Sequence, residues 1–257
     1  DTRIVAQCML MNYEDLSIQE KETLWKMIAD MMPRSGEMAA MVLPYIRMLD
    51  AREQDRLLRI TLTSEGYGGR EALSQLLAGG RDDLAGLTLD VMLNLINEGS
   101  VEERSRLPWF LLWNRRSFGP RAWEALGTLA LDRDPTVRKA IAFGIRRLGF
   151  MGEGERDLLE RLSMDTERSV RAAAGEALAE FASSGGLNEG VLKHLSSDTD
   201  AFVRAGVLRG LGNSTGLSPE EKTRFFSRML ADSEPSVRLR ALTCLGGMEE
   251  IPEVLVR

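Results

Sequence analysis

The chain is poor in the residues that most enzymes use for chemistry. One histidine, His194, occurs in 257 residues, and a lone imidazole cannot build a zinc centre, a di-iron centre or a Ser-His-Asp arrangement. No catalytic residue and no metal ligand is therefore assigned. The two cysteines, Cys8 and Cys244, stand almost a chain length apart, with neither CxxC spacing nor the makings of a disulfide framework; both are expected to be packed or surface thiols. Glycine-rich phosphate loops are missing too. Gly66-Tyr-Gly-Gly69 has no lysine and no preceding strand, so no nucleotide cofactor is expected. No apolar run reaches the roughly 18 to 20 residues that a bilayer requires; the stretch from Met38 to Pro44 is closed by Arg47 and Asp50. A water-soluble chain without membrane insertion follows. The net charge of −6 lacks the broad basic surface of a general nucleic-acid binder. The sequence opens on Asp1 without a signal-type pattern, as expected of a chain trimmed from a longer one. The compartment expected is the cytoplasm, with an exported or membrane-tethered parent left open.

Repetition is what the sequence has in abundance. Asp132–Arg138 (DRDPTVR), Asp165–Arg171 (DTERSVR), Asp198–Arg204 (DTDAFVR) and Asp232–Arg238 (DSEPSVR) share one pattern, and their valines, Val137, Val170, Val203 and Val237, are spaced by 33, 33 and 34 residues. Eleven residues before each valine stand Leu126, Leu159, Leu192 and Phe226; eight before it stand Leu129, Leu162, Leu195 and Met229. This is the stripe of one helix. Four and eight residues after it come Ile141 and Ile145, Ala174 and Leu178, Val207 and Leu211, Ala241 and Leu245, the stripe of a second. Pro135 and Pro235, each behind an acid, suit the first turn of that second helix. Small residues seven after the valine (Gly144, Ala177, Gly210, Cys244) leave room for close helix approach, and Gly152, Gly185-Gly186 and Gly216 separate the units. A period of this length built of two helices is a stack of hairpins.

The turn aspartate with the Val-Arg pair that opens the second helix resembles the HEAT-repeat family. The match runs over about residues 119–250 and rests on Asp132 with Arg138, Asp165 with Arg171, Asp198 with Arg204 and Asp232 with Arg238. The resemblance implies an all-α fold, an α-solenoid of stacked antiparallel helical hairpins wound as a right-handed superhelix, which usually serves as a scaffold. Residues 119–257 are read as four regular repeats plus the start of a further helix. Residues 1–118 are read as degenerate hairpins, with capping boxes at Ser17–Glu20 and Ser100–Glu103, helices over 37–49, 51–62, 70–78 and 84–96, and a decayed turn at Asp82–Leu87. Eight of the thirteen methionines fall in the first fifty residues. Their helical spacing, with Met27 and Met31 on the face of Leu24 and Met38 and Met41 aligned with Tyr45 and Met48, assigns them to core filling.

The four arginines of the repeat could form a ladder for phosphates or carboxylates, but an aspartate and an arginine at every level can equally bond within and between neighbouring units and fix the stacking. The structural role is favoured. Candidate binding residues lie elsewhere. The segment 107–123 gathers three of the four tryptophans beside three arginines; Trp109, Trp113, Arg115 and Arg116 are the anchor types found in interfaces. On the second helices the positions two, six and nine after the valine are expected to face away from the core. In the first repeat they are Lys139, Phe143 and Arg146, an apolar anchor with a cationic rim, which Arg209 extends. The function expected is a noncatalytic scaffold that binds a protein or peptide, acidic and hydrophobic in character, on its concave surface. Two other classes are suggested by repeat type alone: a DNA-binding enzyme of the HEAT-like alkylpurine glycosylase type, against which the acidity weighs, and a bilin lyase or chromophore chaperone. HEAT-like hydroxylases that depend on repeated His-Glu pairs are excluded by the single histidine.

Overall fold

The computed structural model describes residues 2–31, 42–63, 68–183 and 189–247. The helix break at 65–69, the glycine pair Gly185-Gly186, Met32, Pro33, Met38, Met41 and the start of a further helix after Gly247 lie wholly or partly outside the described residues. The described residues are helical throughout, and their only β-type pairing is an isolated bridge between Ser183 and Gly216. They fall into two compact units, Asp1–Thr128 and Leu129–Arg257.

The first unit holds α1 (Thr2–Met11), α2 (Ile18–Met31), α3 (Ala51–Thr63), α4 (Gly68–Ala78), α5 (Asp82–Glu98), α6 (Val101–Trp113), α7 (Arg115–Phe118) and most of α8 (Pro120–Leu129), with short 3-10 segments at Tyr13–Asp15 and Leu43–Met48. Both expected capping boxes form: the Ser17 and Ser100 amides donate to Glu20 and Glu103, whose amides donate back to the serine hydroxyls. The helix expected up to Leu49 is a 3-10 segment over its described part, with Pro44 in its first turn. Asp82 was expected in a turn; it is instead the first residue of α5, and the ion pair at this level joins Arg47 to its neighbour Asp83 at 2.7 Å. Leu24, Trp25, Ile28, Leu57, Leu58, Leu107 and Phe110 are among the buried side chains.

The second unit realises the repeat. Its helices are α9 (Pro135–Leu148), α10 (Glu153–Leu162), α11 (Arg168–Glu180), α12 (Glu189–Ser196), α13 (Ala201–Asn213), α14 (Pro219–Met229) and α15 (Pro235–Gly246). α10 packs on α11, α12 on α13 and α14 on α15, while α9, α11, α13 and α15 pack on one another in sequence. The valine stripe is the core: Val137, Val170, Val203 and Val237 have no accessible surface, and the residues four and eight positions on are buried with them. Asp134 and Asp200 cap their helices by accepting from the amides of Thr136 and Phe202, both at 2.8 Å.

The second helices meet most closely at α11 and α13. A Cβ on Gly210 would stand 2.1 Å from the Glu176 carbonyl oxygen and 2.7 Å from the Ala179 Cβ, and one on Gly206 would stand 2.8 Å from the Ala172 carbonyl oxygen. Only glycine permits this backbone-to-backbone contact. Ala172 and Ala179, expected to face away from the core, are consequently buried; in the second repeat the positions two and nine after the valine are the seat of the next helix.

Candidate binding surface

The turn aspartates and helix arginines form rungs between consecutive hairpins. Arg138 donates through Nε and Nη2 to the two carboxylate oxygens of Asp165, both at 2.7 Å, and through Nη1 to the Asp132 carbonyl at 2.7 Å. Arg171 repeats this with Asp198 at 2.8 and 3.1 Å and the Asp165 carbonyl at 2.9 Å; Arg204 does so with Asp232 at 2.7 and 2.6 Å and the Asp198 carbonyl at 2.7 Å. Each aspartate also accepts from the amide two residues on, as Glu167, Asp200 and Glu234 show. One guanidinium thus ties its own turn to the next, in the bidentate geometry that makes such pairs strong.

Electrostatics follow. The hydrogen bond from Arg171 holds the Asp198 carboxyl below its ordinary range against the opposing effect of burial, and Arg204 does the same for Asp232. For Asp165 burial is the largest influence and pushes upward, yet the Arg138 hydrogen bond, the Glu167 amide and the charges of Arg138 and Arg171 together bring the carboxyl down. These groups are engaged with each other and present no open ladder to a ligand.

The exposed face of the second helices carries a different set. Phe143 on α9 and Phe202 on α13 are 45% and 49% exposed, and each has a cation near its ring: Lys139 Nζ lies 6.0 Å from the Phe143 centroid and the Arg209 guanidinium 5.8 Å from that of Phe202. Between them Arg146 bonds both Glu176 and Glu180 at 2.7 Å, and Glu176 also accepts from Arg209 at 2.8 Å. The cationic rim expected at Arg146 and Arg209 is thus internally balanced by two glutamates of α11. Glu176, six residues after Val170, stands on this surface as its position implied, and Glu180 and Phe202 join it although the repeat positions did not point to them. Phe202 directly precedes Val203 and so had the helical signal of a surface position; the pairing of Glu176 and Glu180 with arginines of α9 and α13 had no signal until the spacing of the three helices was known.

In the first unit, Trp109 and Trp113 stack with ring centroids 5.8 Å apart and an interplanar angle of 22°. Trp113 is 49% exposed, and Trp109 is half-buried. Arg115 is half-buried and donates to the Leu112 carbonyl at 2.8 Å, and Arg116 is exposed. The neighbouring Phe110 and Phe118 turn inward.

A cavity of about 790 Å³ lies among the ends of α13, α14 and α15, and Glu176 and Arg209 form part of its wall. Lys222, Arg240 and Cys244 line it as well. Among the described residues no group of three or more histidine, cysteine, aspartate or glutamate side chains is arranged to hold a metal, and His194 is exposed on α12.

No family model and no curated protein matches the chain. Solved structures do. An engineered protein is similar at 14% identity and a TM-score of 0.49, over 93% of this chain and 77% of its own. A designed armadillo repeat protein, solved in complex with the peptide (KR)4, is similar at 13% identity and a TM-score of 0.42, over 93% and 98%. A computationally designed armadillo repeat protein for modular peptide recognition is similar at 12% identity and a TM-score of 0.30, over 93% and 98%. By its own period, hairpins and rungs, the second unit is a helical-repeat stack over its described residues, the architecture that the HEAT resemblance implied. No described helix is long and apolar enough to cross a membrane.

Proposed function

We propose that the protein is a noncatalytic interaction scaffold that holds an extended peptide segment of a partner protein against α9, α11 and α13. The observation that carries this reading is the pair of exposed phenylalanines, Phe143 and Phe202, each beside a cation and separated by the fixed Arg146–Glu176–Arg209 network. Aromatic side chains held on rigid helices are effective anchors, because little side-chain freedom is lost on contact. Helices in contact lie about 8–10 Å apart, so the two rings are about 20 Å from each other across two helix steps. An extended chain at roughly 3.3 Å per residue covers that span in about six residues. The partner segment therefore presents two apolar side chains about six residues apart. Two free thiols, one of them exposed, suit a reducing compartment such as the cytoplasm.

The test is affinity capture from the source cells with the wild-type chain and with a Phe143→Ser/Phe202→Ser chain whose helical circular dichroism is unchanged. A protein retained by the first and released by the second is expected. Identical retention by both chains would remove this surface from consideration.

A further inference from the structure

We infer that the cavity bounded by α13, α14 and α15 is a docking site for an acidic segment of the partner peptide. The inference rests on the peptide-binding reading above and extends it to a second place and a second chemistry.

The charge inventory of the cavity leads to the ligand. Glu176, its one acid among the described residues, is already shared between Arg146 and Arg209. Lys222 on α14 and Arg240 on α15 face the same space, and neither makes an ion pair within the described residues. Both act on one reporter in the wall: burial pushes the Cys244 thiol upward, while the charges of Arg240 and Lys222 oppose that push. All three line the one cavity, on a chain whose net charge is −6. A positive concavity with low-dielectric walls concentrates its field on an anion.

Shape supports a peptide over a single small ion. The volume of about 790 Å³ falls in the range of pockets that hold organic ligands. Phe226 supplies a wall and is itself fully buried. Gly212 keeps the space open next to Cys244, since a Cβ there would come within 3.3 Å of the Cys244 Sγ. The cavity also continues the phenylalanine surface: Arg209 contacts Phe202 on one side and lines the cavity on the other. A peptide that crosses Phe202 reaches Lys222 and Arg240 next. The acidic character expected of the partner thus finds its open cations here, whereas Arg146 is engaged with Glu176 and Glu180.

Cys244 makes the cavity measurable. The experiment uses the full chain with Cys8→Ser, which leaves Cys244 as its one thiol, and follows alkylation by neutral iodoacetamide and by anionic iodoacetate. Lys222→Gln/Arg240→Gln is expected to lower the preference for iodoacetate several-fold. Acetylated hexaglutamate is expected to slow alkylation by iodoacetamide, hexaglutamine to leave it unchanged, and the double variant to require about fivefold more hexaglutamate for the same protection. The Phe143→Ser/Phe202→Ser chain keeps that protection, so failure of the cavity and failure of the phenylalanine surface are read separately. Equal protection by hexaglutamate and hexaglutamine, or the same hexaglutamate dependence in the double variant, overturns the inference. Stronger protection by a hexathymidylate than by hexaglutamate would assign the cavity to nucleic acid instead. Shielding of Cys244 without any peptide that disappears when residues 248–257 are removed would assign it to the chain's own Glu249 and Glu250.

Discussion

The two units solve the same problem, how to fix one helical pair against the next, by different means. From Leu129 onward a single device recurs: a turn aspartate bound by the arginine of the preceding hairpin, with the same three bonds at each level. In residues 1–128 each junction has its own solution. Arg70 and Arg106 donate to the carbonyls of Leu62 and Thr63, Asn114 to the hydroxyl of Ser74, and Arg121 pairs with Asp90 at the surface. These bonds satisfy buried polar groups in both, while the buried hydroxyls of Thr88 and Thr223, one in each unit, have no hydrogen-bond partner. Repetition lets one geometry serve several interfaces, so a change at one rung has a predictable cost; in the first unit the cost depends on the individual junction.

Glycine should separate the units most sharply. Gly210→Ala forces a methyl into the Glu176 carbonyl and is expected to destabilise by about 3 kcal/mol, at the upper end for overpacking. Gly86→Ala, inside α5 of the first unit with nothing within 4 Å of the added Cβ, is expected to stabilise by about 0.5–1 kcal/mol. Urea midpoints followed by circular dichroism read both signs, and a neutral Gly210→Ala would remove the close approach of α11 and α13 from the account.

The next effect in size concerns the rungs. Asp198 is buried, and its Arg171 partner nearly so; Asp198→Ala leaves the guanidinium fork unpaired and is expected to cost about 2–4 kcal/mol. The exposed pair Arg121–Asp90 is expected to contribute less than about 1 kcal/mol. Hydrogen exchange should show faster opening of α11 and α13 in Asp198→Ala and little change in Asp90→Ala. Comparable losses in the two variants would erase the distinction between the units.

Acid should weaken the rungs. Asp165, Asp198 and Asp232 have carboxyls lowered in the folded state, so the unfolded chain binds protons first. The stability they contribute is present above the ordinary carboxylate value of about 3.9 and is lost as pH falls through the depressed folded values. Between neutral pH and about pH 3 the urea midpoint of the wild type should fall further than that of Asp198→Asn, in which one such contribution is already gone. A larger fall in the variant would contradict the assignment.

Much of this architecture was legible in the sequence because each repeat restates it: Val, Arg and Asp recur in register, and burial follows the stripe read from the valines. The close approach of α11 and α13 was legible at Gly210 but not its consequence, that Ala172 and Ala179 become a contact face. The binding surface was legible in part. Phe143 is exposed as its position implied, but the partners of Arg146 and Arg209 sit one repeat away, and a pairing across helices depends on their separation, which no single period encodes. Lys222 and Arg240 lie on different helices and come together only through the packing of α14 on α15.

The claim that the rungs hold hairpins to one another, and do not serve as ligand contacts, is tested most directly by a double-mutant cycle on Arg171→Ala and Asp198→Ala. The account predicts that both single variants lower the urea midpoint and that the double variant loses less than the sum, with a coupling of about 1–3 kcal/mol. Strict additivity, or an Arg171→Ala chain that unfolds at the wild-type midpoint while losing its partner, would contradict it.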